Sequence, residues 1–140
     1  DLPAGERFVA NPRIESGLVF MPTYAPNATS DCGTAGRNLL YGLNALSGAA
    51  GLSNVNVGSP TGASPTGATG AIELNTGGTT PVKEVGVLTT PRLPPLGPTA
   101  SQAELDAALA AQCSMAVQVA GAPALYLRRP CGRQSWRQIL

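Results

Sequence analysis

Glycine and proline punctuate this chain so often that long regular elements have little room. The 140 residues include 17 Gly and 13 Pro, which makes turns and irregular backbone frequent. Between the breaks lie short apolar runs with β-branched residues, the pattern of strands joined in hairpins. Only 101–113, "SQAELDAALAAQC", reads as a good helix. Ser101 with Glu104 three residues on is a capping box, and alanine dominates the interior. On that helix Leu105, Ala108, Leu109 and Gln112 share a face.

The strand pattern can be followed along the chain. Arg7 to Ala10 is a short strand ended by Asn11-Pro12. "RIESGLVFMPTY" then has the form of a hairpin with Glu15-Ser16-Gly17 at its tip. Pro22 has no N–H to give a ladder, so it marks a strand edge or end. Residues 25–38 read as a loop, and Leu39 to Leu46 as an apolar strand covered on both faces, ended by Ser47-Gly48. Residues 49–71, with the near-repeat "PTGASPTGATG", are low in complexity and read as a long exposed Gly/Thr/Pro-rich loop. Strands follow at 71–78 and 82–91, and a last hairpin pairs Met115–Val119 with Ala124–Arg128 across Ala120-Gly121-Ala122-Pro123. Strands do not alternate with helices, so the reading is mainly β, with one inserted helix and no nucleotide-binding α/β pattern.

Composition narrows the function. Histidine is absent, which removes the commonest general base and metal ligand and the nucleophile pairs built on it. Net charge is +1, so there is no electrostatic footprint for nucleic acid. No segment is apolar enough over 18 residues to span a membrane as a helix. No Asp-x-Asp-x-Asp-Gly run is present for calcium, and no phosphate-binding glycine loop precedes a helix. The low charge, 12%, with abundant Thr, Gly and Asn, fits an exported surface protein better than a cytosolic enzyme. The amino terminus does not read as a signal peptide, so for an exported protein residue 1 is expected to follow a cleavage or truncation. No cofactor or catalytic residue is expected.

The three cysteines are Cys32, Cys113 and Cys131. Cys113–Cys131 is the preferred disulfide, because it would staple the helix to the carboxyl-terminal segment; three free thiols in a reducing compartment is the alternative. Near the end, Arg128, Arg129, Arg133 and Arg137 surround the single Trp, Trp136. These five residues are the candidate docking surface. The plainer account is that Trp136 packs in the interior and the arginines pair locally.

One motif carries more than local meaning. Asn44-Ala45-Leu46-Ser47-Gly48, at the end of "NLLYGLNALSG", resembles the turn that closes each blade of quinoprotein-like β-propellers. Its surroundings resemble the carboxyl-terminal propeller of the PilY family of type IV pilus tip proteins. Gly5, Glu6, Arg7, Asn11 and Pro12 match one part of that pattern, Asp31, Cys32, Gly33 and Gly36 a glycine-rich loop, and Leu40, Tyr41, Leu43, Ala45, Leu46 and Gly48 the strand. At the other end Gly132, Arg133, Ser135, Trp136 and Arg137 are similar to the family's closing run.

The resemblance implies the last blades of a β-propeller: about two or three blades at roughly 40 residues each, against about 4 to 8 in a closed ring. It implies a non-enzymatic pilus-tip adhesin and assembly factor, exported through the periplasm to the cell surface. Minor pilins, the remainder of the same tip protein, and host or surface ligands would be its partners, and adhesion and twitching motility its outcomes. Unpaired strand edges would accept a partner's strand. Two rivals are a small structural subunit of an extracellular fibre or phage particle and a fragment of a quinoprotein dehydrogenase. The second lacks the acidic ligands and base expected around a quinone.

Overall fold

A computed structural model describes residues 2–26, 36–59, 67–76, 80–89 and 96–129. Among these the chain is mainly β, in two antiparallel sheets. The first comprises β1 (Arg7–Phe8), β2 (Arg13–Glu15), β3 (Leu18–Pro26), β4 (Gly36–Asn44) and β6 (Ala71–Leu74). Its order is β1-β3-β4-β6, with β2 also on β3. The second has the order β5-β9-β8-β7, with β5 at Asn56–Val57, β7 at Val85–Thr89, β8 at Ser114–Val119 and β9 at Leu125–Arg128.

The β2–β3 hairpin turns on Ser16 and Gly17, whose φ angles are 51° and 78°. Positive φ at both central residues is the primed turn whose twist matches paired strands, and glycine adopts it without a Cβ clash. It sets the register Glu15↔Leu18, Ile14↔Val19 and Arg13↔Phe20.

Pro22 corrects an expectation. It lies in the middle of β3, opposite Leu40, and is fully buried. The strand on its other side explains how. Phe8 pairs with Thr23 and Arg13 with Phe20, so residues 9–12 face only two residues of β3, a bulge at Asn11-Pro12. The Val9 N–H donates to the Pro22 carbonyl at 3.4 Å, and the return bond, which Pro22 cannot make, is absent at the break. Proline is tolerated inside a sheet at such a bulge.

Two further boundaries move. Part of the loop expected at 25–38 is strand, since β3 runs through Pro26 and β4 begins at Gly36. Strand β4 ends at Asn44 rather than Leu46, because the Asn44 side-chain oxygen captures the N–H groups of Leu46 (3.0 Å) and Ser47 (3.1 Å). The turn closes with Gly48 N–H on the Asn44 carbonyl, 2.9 Å, and Asn44 N–H on the Ala49 carbonyl, 2.9 Å. Leu46 is left on its tip, 99% exposed.

The expected exposed loop over 49–71 divides. Residues 60–66 lie outside the described residues, but the part before them enters the core. Ala50 bridges to Leu43, Leu52 bridges to Thr69, and Leu52 and Val55 are buried. Leu52 lies over Gly42, where a Cβ would stand 2.5 Å from its Cγ.

The core lies between the sheets. Leu18, Phe20, Leu40 and Leu74 come from the first, and Met115, Val117, Val119, Leu125 and Leu127 from the second. Helix α1 (Gln102–Gln112) stands outside this core, with Leu105 exposed. Its expected cap forms: Ser101 N–H donates to the Glu104 carboxylate at 2.8 Å, and Glu104 N–H to Ser101 Oγ at 3.3 Å.

Candidate docking surface

The carboxyl-terminal candidates divide sharply. Arg128 ends β9 with its side chain exposed. Arg129, one residue on, is committed to the fold. Its Nε and NH2 groups both donate to the Gln112 carbonyl, at 3.2 and 2.9 Å. Its backbone N–H donates to the Cys113 carbonyl at 2.8 Å, and Ser114 Oγ donates to the Ala111 carbonyl at 2.8 Å. Three successive carbonyls at the end of α1 are thereby satisfied, and a guanidinium sits where the helix dipole is negative. Arg133, Trp136 and Arg137 lie outside the described residues. So does Cys131, while Cys113 is buried just ahead of β8.

Two polar devices escaped the sequence reading. Asn38 is buried on the core face of β4. Its amide donates to Thr76 Oγ1 (3.0 Å) and the Thr80 carbonyl (3.1 Å), and its Oδ1 accepts from Val82 N–H (3.0 Å). One amide thus pins the segment entering β7 onto β4. Nothing in the sequence separates Asn38 from the chain's other asparagines, because its partners are about 40 residues away.

Glu6 forms the second device. The buried Thr23 hydroxyl donates to its carboxylate, and the Tyr41 phenol is hydrogen-bonded to it as well. Burial, then that bond and the Glu6 charge, push the Tyr41 phenol above its ordinary value. Neutral hydroxyls that clamp a carboxylate hold the amino-terminal turn on the sheet. For Tyr41 these surroundings raise the cost of losing the phenolic proton.

Among the described residues no three His, Cys, Asp or Glu side chains converge as metal ligands. No described helix is long and apolar enough to cross a membrane. Among the described residues the surface presents the exposed Leu46 tip, the exposed Arg128, and strands β6, β5 and β7 at the ends of their sheets.

No family model matches the chain, and neither does any solved structure. A curated relative does: the type IV pilus biogenesis factor PilY1 homolog of Xylella fastidiosa is 37% identical over 150 residues, covering 98% of this chain. The chain spans about a tenth of that relative's length. Across nearly all of its residues, then, the chain is a PilY-family sequence.

Proposed function

We propose that the chain is a segment of a type IV pilus biogenesis factor. The observation that carries this reading is the 37% identity sustained over 98% of the chain. The segment acts by contact rather than catalysis, in an exported protein at the cell surface, at the pilus tip. Its sheets are the last blades of a β-propeller. Two antiparallel sheets of short strands sharing one core are what that architecture requires of adjacent blades, and the Asn44–Gly48 turn fits its closing position.

Minor pilins, the rest of the tip protein and surface ligands are the partners, and support of adhesion and twitching motility is the result. Arg128, Arg133, Trp136 and Arg137 carry the docking. Arg129 belongs to the same set and also braces the end of α1.

A Cys113–Cys131 disulfide locks this end. Arg129 is hydrogen-bonded to Cys113 through the backbone, and Cys131 is two residues further along. Two residues span at most about 7 Å, and bridged cysteines have Cα atoms roughly 4.4–6.8 Å apart.

The test is genetic. Removing these residues from the parent gene should abolish surface pili and twitching while the parent protein still accumulates. Normal piliation would overturn the assignment. Charge reversal at Arg128, Arg133 and Arg137 should reduce recovery of minor pilins with the tip protein, and unchanged recovery would remove the docking role.

A further inference from the structure

We infer that residues 130–140 seat on the exposed side of helix α1, with Trp136 over Leu105. The need for a cover comes from the helix itself. It has 11 residues, and an isolated helix shorter than about 12–15 residues is marginal in water. In a folded protein most of a helix's stability comes from packing one face against a neighbour. Here every residue from Gln102 to Ala107 is exposed, and Leu105 keeps 44% of its surface in water. The ends are fastened, by the Ser101–Glu104 cap and by Arg129 on the Gln112 carbonyl. Those fastenings leave the first two turns uncovered among the described residues.

Three features of the chain name the occupant. The first is attachment. Through its N–H on the Cys113 carbonyl and its guanidinium on the Gln112 carbonyl, Arg129 delivers residue 130 to the carboxyl end of α1.

The second is reach. Leu105 lies about two turns before Gln112, roughly 10 Å along the helix. Trp136 lies seven positions beyond Arg129, which allows up to about 23 Å of chain.

The third is complementarity. Helix α1 carries Glu104 and Asp106 and no basic residue, whereas residues 130–140 carry Arg133 and Arg137 and no Asp or Glu. Charges of opposite sign held within about 10 Å still attract at 0.1 M salt. The same stretch contains Trp136, Ile139 and Leu140, large apolar side chains of the kind that an exposed Leu105 lacks as neighbours. An aromatic ring laid on an aliphatic side chain removes apolar surface of both from water.

Seated in this way, Trp136 serves the docking role proposed above by holding Arg133 and Arg137 in place for a partner, and only that consequence rests on the pilus reading.

The test is photo-cross-linking in the native polypeptide that carries this chain. The photo-reactive aromatic p-benzoylphenylalanine replaces Trp136 in one variant and Leu105 in another, and cross-linked peptides are sequenced after irradiation. From position 136 the cross-link should fall within 102–112, and from position 105 within 130–140. Joining to any other part of the polypeptide, to a different protein, or to nothing overturns the inference. Limited proteolysis gives a second reading that needs no photo-reactive residue. Trp136→Ala should speed cleavage within 102–112 by about fivefold, and Trp136→Phe should restore most of the protection. Equal rates in all three proteins overturn the inference as well. The result is separable from the docking assay. The expected cross-links with unchanged recovery of minor pilins after charge reversal remove the docking role and leave the seat standing; reduced recovery without these cross-links does the reverse.

Discussion

Asn38 and Val82, 44 residues apart in sequence, are joined by a 3.0 Å hydrogen bond from the Val82 N–H to the Asn38 side-chain oxygen. The amide also holds Thr76 and the Thr80 carbonyl, so one buried side chain ties the segment after β6 to the segment before β7. Each buried polar group left unpaired costs about 1–3 kcal/mol. Asn38→Ala should therefore lower stability by about 2 kcal/mol or more, read as a shift in the urea midpoint at unchanged slope. A shift indistinguishable from that of a surface Asn→Ala control would mean that water replaces the bonds.

Gly42 admits Leu52 to the core because it has no side chain. A Cβ at Gly42 would collide with Leu52, which is fully buried. Gly42→Ala should destabilise by about 1–3 kcal/mol, the usual cost of overpacking. Combining it with Leu52→Ala should cost less than the two single effects added, since the second change makes room for the first.

The Tyr41 phenol gives the fold an alkaline limit. Its folded value is raised above the ordinary 10.0 by burial and by Glu6, so the folded state favours the neutral phenol. The contribution is complete below the unfolded value and is lost as pH rises through the folded one. Melting temperature should fall above about pH 10 in the native sequence and fall less in Tyr41→Phe. Identical alkaline profiles would exclude the clamp as the cause.

The helix cap behaves in the opposite sense. The bonds from Ser101 hold the Glu104 carboxyl below its ordinary 4.5. Its support of the helix is present above that value and lost as pH falls through the lower folded one. Helical circular dichroism should therefore fray in acid, and Glu104→Gln should flatten that dependence.

At the other end of α1, Arg129→Lys keeps the charge but loses the planar fork onto Gln112. Cleavage within 102–112 by limited proteolysis should accelerate. Peptide mapping without reductant should recover Cys113 linked to Cys131. Recovery of Cys113 with Cys32 would replace that pairing.

What could be read from the sequence was local. The hairpin tip expected at Glu15-Ser16-Gly17, the Ser101/Glu104 cap and the final hairpin all depend on residues within a few positions of one another, and each forms, with Glu15 joining β2 rather than the tip. Pro22 misled because its local rule forbids a central strand, and only the distant break at residues 9–12 lifts that prohibition. Leu52 and Val55 were hidden in a stretch judged by average composition, although two side chains suffice to anchor it. Of the five docking candidates, Arg129 shows a role that spacing alone does not reveal, since its guanidinium is hydrogen-bonded at a helix terminus.

Pro22 also works as an index mark. If β1 and β2 slid along β3, the break at Asn11-Pro12 would move off the one position that has no N–H to donate. An unbroken strand would then face a proline, and the displaced gap would strand a donor elsewhere. Misaligned pairings of this edge are therefore discriminated against during assembly, when a chain rich in short, similar strands is most exposed to pairing errors.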